Sequence, residues 1–216
     1  NIKPRLGSRL VTDVSRSDTI SLHTSMKDTP YHANRVNALF SKMMNLAEKW
    51  GLRQDGSNPC RHVEKFPEKK RERKLSPDEL KKLGKTLRDI EKEGEELKSV
   101  VPAIRLILFT GCRRSEILTL RWEHIDLGNQ CLRLPDSKTG AKVVPLNKPA
   151  RDVLKKLKGN DKEWVIPGRK KGRHLVNVSK PWRRIRERAE LGDVRLHDMR
   201  HQFASVGVDI GEPLYL

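Results

Sequence analysis

Apolar residues recur at the spacing of an amphipathic helix in the first quarter of the chain. Residues 31–50, YHANRVNALFSKMMNLAEKW, predict one long helix, and a shorter helix is expected at residues 16–26. The apolar positions of the long helix are Val36, Leu39, Phe40, Met43, Met44, Leu46 and Ala47. Gly51 and the turn-forming run DGSNP at residues 55–59 end this helical part. We therefore predict a first, helical domain at residues 1–60.

The periodic pattern is lost over residues 61–74, RHVEKFPEKKRERK, and returns immediately afterwards. This segment contains Pro67 and carries seven basic residues against three glutamates. Such a composition is typical of a linker between domains. The run SPDE at residues 76–79 then provides a capping-box signal with proline at the first helical position. We expect a second domain at residues 75–216.

Helical and strand-like patterns both occur in this second part. Helices are predicted near residues 77–93, 97–109, 114–121, 148–158, 179–190 and 197–209. Strands are predicted near residues 130–134, 142–146 and 164–166, and a hairpin turn at 136–140 joins the first two. The predicted fold class is mainly α with a small antiparallel β-sheet.

The charge of the chain indicates the kind of partner. There are 46 Lys and Arg residues against 28 Asp and Glu, a net charge of +18, and the isoelectric point is about 10.1. Residues 169–186 contain eight Lys or Arg and no acid. This distribution favours a polyanion such as nucleic acid. No apolar run approaches the roughly 18 residues of a membrane span, and no signal peptide opens the chain, so we predict a cytoplasmic protein without membrane contact.

The cysteine pattern argues against disulfides and metal. Cys60, Cys112 and Cys131 are odd in number and follow no framework spacing, which fits a reducing compartment. Cys60 and His62 are close in sequence, but no second pair follows at zinc-ligand spacing. We therefore expect structural cysteines, no metal site and no cofactor.

Three short motifs carry the candidate chemistry. In TGCRRSE, residues 110–116, Arg113 and Glu116 share one face of a helix that begins there. Lys138 lies in the predicted hairpin turn. In LHDMRH, residues 196–201, His197 and Arg200 are one helical turn apart. Taken singly, each feature has an ordinary explanation. Arg113 and Glu116 would more often be a surface ion pair, Lys138 a solvated turn lysine, and His197 with Arg200 a chance pairing.

Together and in this order, the three motifs resemble the tyrosine recombinases of the phage-integrase type. The resemblance implies that residues 75–216 are a mixed α+β catalytic domain and residues 1–60 the later part of a helical core-binding domain. The implied function is site-specific DNA recombination, for integration or excision of a phage or mobile element. In that family, DNA strands are cut and rejoined through a 3′-phosphotyrosyl intermediate.

The resemblance also implies roles for the motif residues. Arg113 and Arg200 would bind the non-bridging oxygens of the DNA phosphate, for which planar guanidinium groups are well suited. Lys138 would be the general acid that protonates the departing 5′ oxygen, since a lysine can release a proton and an arginine cannot. His197 would assist as acid or base, and Glu116 would orient the site.

Double-stranded DNA is the implied partner, enclosed by two domains with the linker crossing its backbone. The expected phosphate contacts are Arg35, Lys42, Lys49, Lys70, Arg71, Arg73, Lys170, Lys171, Arg183 and Arg184. The resemblance further implies a homo-tetramer on DNA for the complete protein, located at the bacterial nucleoid.

The family's tyrosine nucleophile follows the second arginine motif after a histidine or tryptophan box. Tyr215 is too close to Arg200 for this role and lacks such a box before it, so we interpret it as a packing residue. We therefore expect the chain as given to lack the nucleophile, to be inactive, and to be a monomer or weak dimer. Two alternatives stay open: a non-catalytic DNA-binding integrase fragment, and an enzyme similar to type IB topoisomerases.

Overall fold

The structure, a computed structural model, describes residues 1–69, 71, 73–135, 140–200, 202 and 203. The chain divides into two compact units, Asn1–Arg71 and Glu72–Leu216. The division falls inside the segment that the sequence predicts as a linker. The interpretation of the two units as core-binding and catalytic domains stays a prediction.

Helices account for most of the regular structure. They are α1 (Lys3–Leu6), α2 (Arg16–Thr24), α3 (Pro30–Lys49), α4 (Pro77–Glu93), α5 (Val100–Thr110), α6 (Arg114–Leu118), α7 (Lys148–Leu157) and α8 (Ser179–Arg188). A 3-10 helix covers Trp122–His124, and residues 198–200, 202 and 203 are also helical. The strands are β1 (Ile125–Asp126), β2 (Cys131–Leu134) and β3 (Lys142–Pro145). These elements confirm the predicted fold class; the rest of the helix predicted near 197–209 lies outside the described residues.

The core of the first unit forms where α2 packs on α3. The buried positions of α3 recur every three or four residues and include Val36, Phe40, Met44 and Ala47. Leu39 and Met43, predicted on the same apolar side, are 58% and 45% exposed. Each precedes a buried residue by one position, which rotates the side chain by about 100° around the helix axis. The buried face of α3 is therefore narrower than the apolar face that the sequence pattern predicted.

One buried side chain of α3, Asn34, binds the middle of the predicted linker, at Phe66. The Asn34 Oδ1 accepts the Phe66 backbone N–H at 3.0 Å, and its Nδ2 donates to the Phe66 carbonyl at 2.8 Å. The same Nδ2 donates to Glu68 at 2.9 Å. The Phe66 ring stacks on His23, with ring centroids 4.3 Å apart. Asn34 thus satisfies both backbone groups of Phe66 as a neighbouring strand would.

The second unit is built around α5, whose apolar residues face all directions. A helix of this kind is stable only when other elements cover it. Its buried side chains include Val101, Ile104, Leu106 and Ile107, and α4, α6 and α7 pack against it. The helix predicted to start at residue 97 begins at Val100.

Helix α4 begins as the sequence predicts. The Ser76 Oγ accepts the Glu79 backbone N–H at 3.2 Å, and the Glu79 carboxylate accepts the Ser76 backbone N–H at 2.8 Å. These reciprocal bonds satisfy two N–H groups that lack partners at a helix start.

The sheet is a small antiparallel meander in the order β1-β2-β3. Leu132 pairs with Val144 and Leu134 with Lys142, which confirms the predicted hairpin strands. Strand β1 has two residues, too few to produce a periodic pattern. The short strand predicted near 164–166 is wrong, because Trp164 forms only an isolated bridge to Arg121.

All three cysteines are buried and have free thiols. Burial raises the pKa of the Cys60 thiol to about 11 and also raises that of Cys112. Among the described residues, no helix combines the length and the apolarity needed to cross a membrane.

The Asn34 contact predicts a stability difference between two buried asparagines of α3. Asn34→Leu should lower the free energy of unfolding of the first unit by about 1–3 kcal/mol, because both backbone groups of Phe66 lose their partner. Asn37→Leu is the matched control, since the Oδ1 of Asn37 is buried without a hydrogen-bond partner among the described residues. We expect the control to be neutral or stabilising in urea denaturation. Equal losses in both variants would contradict the binding role of Asn34.

Candidate active site

The end of α5 places the first motif. Gly111 terminates the helix with a left-handed φ of +62°, and its N–H donates to the Ile107 carbonyl at 3.1 Å. A Cβ at Gly111 would lie 2.5 Å from the Phe203 ring. Glycine is therefore required here both by the backbone angle and by the close approach of the last described helical segment.

Glu116 is the centre of the site, because it is buried and accepts hydrogen bonds from three groups. Its Oε2 accepts the Arg113 backbone N–H at 2.7 Å and the Lys142 ammonium at 2.8 Å. Its Oε1 accepts Nη1 of the Arg113 guanidinium at 3.0 Å. The Glu116 side chain is 6% exposed and that of Arg113 is 29% exposed. The carboxylate therefore binds the buried side of the Arg113 guanidinium and leaves part of the guanidinium accessible to solvent.

The pKa of Glu116 reflects two opposed effects. Burial raises it, but the hydrogen bonds from Lys142 and from the backbone and side chain of Arg113 outweigh burial and hold the pKa below its ordinary value. Glu116 is therefore a carboxylate at neutral pH.

Arg200 reaches the same end of α5 from the last motif. Its Nη1 donates to the Gly111 carbonyl at 2.7 Å, two residues before Arg113 in the chain. The raised pKa of the neighbouring Cys112 comes mainly from burial, with further influence from the charges of Lys142, Glu116 and Arg200. The charges of Lys142, Glu116 and Arg200 therefore all act on one buried thiol.

His197 lies at the edge of an adjoining basic cavity of about 480 Å³. The His197 carbonyl accepts the Arg200 backbone N–H at 3.1 Å, so the two predicted residues share one helical turn. The basic side chains lining the cavity with His197 are Arg114, Lys180, Arg183, Arg186 and Arg195. No carboxylate is among the described lining residues. The cavity is suited to an anion such as a phosphate group.

Lys138 lies outside the described residues. Lys142, on β3, contacts Glu116. The sequence motifs did not identify it, because a lysine in a strand pattern carries no signal of its own. The basic lining residues Arg114, Lys180, Arg186 and Arg195 were also missed. For Lys180 and Arg186 the signal was the acid-free run at residues 169–186.

Most of the predicted DNA contacts have exposed side chains: Arg35, Lys42, Lys49, Arg71, Lys170, Lys171, Arg183 and Arg184. Three of the predicted contacts bind carboxylates: Arg35 binds Glu68 at 2.9 Å, Arg184 binds Glu96 at 2.7 Å, and Arg73 binds Glu79 and Asp193. Those three would have to exchange an ion pair to reach a phosphate. Lys70 lies outside the described residues, and all ten contacts stay predictions.

The described part of the chain contains no cluster of three or more His, Cys, Asp or Glu side chains that could hold a metal ion. The Glu116 carboxylate is already bound by Arg113 and Lys142.

Comparison with known proteins matches residues 73–208 to the phage integrase family. The chain is 32% identical to the shufflon-specific DNA recombinase of Escherichia coli over 81% of its own length and 43% of the recombinase. It is 36% identical to the integrase of Salmonella phage P22 over 68% of the chain and 40% of that integrase. The chain thus spans less than half the length of these relatives.

Solved structures with the same fold include integrases bound to DNA. A lambda integrase dimer on a COC′ core site superposes with a TM-score of 0.77 at 18% identity, covering 98% of this chain and 80% of that one. The Tn1549 transposon integrase in complex with circular intermediate DNA gives a TM-score of 0.69 at 18% identity, over 97% of this chain and 77% of that one.

The fold and the matched region place residues 73–208 among the tyrosine recombinases. The chain belongs to the phage integrase family.

Gly111 and Gly94 provide a matched test of how the site is held. Both have a left-handed φ, but a Cβ at Gly94 would meet no atom within 4 Å. Gly94→Ala should cost about 1 kcal/mol from the backbone angle alone. Gly111→Ala should cost about 2–4 kcal/mol, because the Phe203 ring must also move. Thermal or urea unfolding measures both, and an equal cost would show that Phe203 does not pack on Gly111.

The lowered pKa of Glu116 predicts a pH-dependent contribution to stability. The contribution is complete above the ordinary value of 4.5 and is lost as the pH falls through the lowered pKa of the folded state. Glu116→Gln should therefore be less stable than the parent by about 1–3 kcal/mol at pH 7, and this gap should narrow below about pH 4.5. Glu123→Gln, at a side chain that is 69% exposed, should change stability by less than about 0.5 kcal/mol. A gap between parent and Glu116→Gln that stays constant with pH would contradict the charged role of Glu116.

Proposed function

We propose that this chain is the DNA-binding and phosphate-activating part of a site-specific DNA recombinase. The observation that carries the proposal is the convergence of Arg113, Glu116 and Arg200 at the end of α5, inside the region that matches the phage integrase family. The complete protein would cut and rejoin DNA strands through a 3′-phosphotyrosyl intermediate and so integrate or excise a phage or mobile element.

Arg113 and Arg200 would hold the DNA phosphate at the point of attack. Attack on a phosphodiester adds negative charge to a group that is already anionic, so permanently charged, planar donors stabilise the transition state. Arg113 retains guanidinium donors beyond the one that binds Glu116, since the group has five N–H donors. Arg200 likewise uses Nη1 for the Gly111 carbonyl.

Lys138 and His197 would manage the protons of the reaction. The 5′ oxygen is a poor leaving group unless it is protonated as it departs. A lysine ammonium can donate that proton. His197 shares a helical turn with Arg200 and lies in the basic cavity, where an imidazole can accept or donate a proton near neutral pH. Glu116 would fix Arg113 and take no part in proton transfer.

The proposed partner is double-stranded DNA, contacted by the exposed basic residues and the basic cavity. Solved relatives are bound to DNA as a dimer on a core site and as a tetramer on a Holliday junction. By analogy we propose a homo-tetramer on DNA for the complete protein, in the bacterial cytoplasm at the nucleoid, and a monomer or weak dimer for this chain alone.

A suicide half-site assay tests the proposal. A preferred duplex is first selected from a random duplex pool, then nicked and incubated with the complete protein, and a covalent adduct is sought on a denaturing gel. This chain alone is expected to bind the duplex without forming the adduct. Arg113→Lys and Arg200→Lys should lower adduct formation by about a hundredfold or more, because a lysine cannot make the two-pronged contact. Both variants should still bind the intact duplex. Glu123→Gln, at the exposed side chain of the 3-10 helix, serves as the control for unaltered activity.

Other outcomes identify the alternatives. Sequence-selective binding by the complete protein without an adduct would overturn the proposed catalysis and favour a DNA-binding integrase fragment. Relaxation of supercoiled DNA without a preferred site would favour an enzyme similar to type IB topoisomerases. Absence of duplex binding would overturn the proposed function altogether.

A further inference from the structure

Lys142 is the residue near the site for which the sequence motifs give no role. It is the first residue of β3 and pairs with Leu134 of β2, so its backbone is fixed by the sheet. Its side chain is 22% exposed, and its ammonium donates to Glu116 Oε2 at 2.8 Å. The lysine therefore links the hairpin to the carboxylate beneath Arg113.

The two oxygens of Glu116 have different partners. Oε2 is shared by the Lys142 ammonium and the Arg113 backbone N–H, whereas Oε1 receives Nη1 of the Arg113 guanidinium. A carboxylate facing a guanidinium without competition commonly forms two parallel hydrogen bonds. Because the Lys142 ammonium and the Arg113 backbone N–H both occupy Oε2, Glu116 binds the guanidinium through Oε1 only.

The partners of the two Glu116 oxygens affect how many guanidinium donors of Arg113 are available to a ligand. A guanidinium has five N–H donors, and a two-pronged contact with Glu116 would turn one complete edge of the group away from a phosphate. Lys142 also adds a positive charge to a pair that would otherwise be neutral. Both effects favour binding of a phosphate oxygen by the remaining donors of Arg113.

We propose that Lys142 is a positioning residue that acts through Glu116 to keep Arg113 presented to the DNA phosphate. The inference rests on the proposed function of Arg113. The residue itself would not touch the reacting atoms, and its effect would disappear when Glu116 or Arg113 is replaced.

The test compares Lys142→Met, Lys142→Arg and the control Lys148→Met in the complete chain. Lys148 is exposed at the start of α7, so its replacement removes the same charge without a contact to Glu116. Two quantities are measured. The first is adduct formation on the half-site, which is replaced by affinity for the selected duplex if the parent forms no adduct. The second is the ¹⁵N spectrum of the Arg113 guanidinium. If Lys142→Met does not fold, Lys142→Gln keeps a donor and replaces it.

We expect Lys142→Met to lower the measured function by about tenfold to a hundredfold, since a charged hydrogen bond is lost beneath Arg113. Lys142→Arg should restore it to within about threefold, and Lys148→Met should change it by less than about threefold. The Arg113 spectrum should shift in Lys142→Met toward hindered rotation of both Nη groups. In a Glu116→Gln background, the loss caused by Lys142→Met should shrink to that of the control.

A pH profile separates positioning from a general structural effect. Arg113 and Lys142 act directly on Glu116, and Cys112 interacts with Glu116 and with Arg200. Removing Lys142 takes away one of the interactions that lower the pKa of Glu116, so the acid limb of the profile should move to higher pH. Lys148→Met should leave the acid limb in place.

Two results would overturn the inference in distinguishable ways. If Arg113→Lys is defective while Lys142→Met equals the parent, or if the Lys142→Met loss persists in Glu116→Gln, the positioning role is wrong and the proposed function stands. If Arg113→Lys itself forms the adduct as well as the parent does, the proposed function of Arg113 fails and the role of Lys142 fails with it.

Discussion

The candidate site depends on the cost of burying one carboxylate. Glu116 is a buried residue of α6, where an unpaired charge would be strongly destabilising. Its burial is compensated by three groups from two residues: the backbone N–H and the guanidinium of Arg113, and the ammonium of Lys142. The same bonds that compensate the charge therefore fix Arg113 and join the hairpin to α6. Stability and positioning are provided here by one set of contacts.

The parts of the structure that follow from local patterns were predictable. The capping box at Ser76 and the long helix α3 were read correctly because the signals involve residues three or four apart. The pairing of Arg113 with Glu116 was predictable for the same reason. Lys142 and Phe203 were not, because their contacts with Glu116 and Gly111 join residues far apart in sequence and depend on how the elements pack.

The basic residues show the same limit. Their number predicts a polyanionic partner, but composition does not distinguish a side chain that faces solvent from one that already has a partner. Arg73, Arg184 and Arg35 bind carboxylates, whereas Arg183 contributes to the basic cavity. The linker composition also gave no sign that Phe66 is bound to Asn34, since one buried amide can hold a segment that is otherwise polar.

The burial of the three cysteines has a practical consequence for experiments on this protein. A thiol whose pKa is about 11, as at Cys60, is present as thiolate in only about one molecule in ten thousand at pH 7. Cys112 and Cys131 are likewise enclosed. A single cysteine introduced on an exposed face, for example on the solvent side of α3, can therefore be labelled with a fluorophore while the native thiols remain unmodified. The chain is well suited to spectroscopic distance measurements without prior removal of its own cysteines.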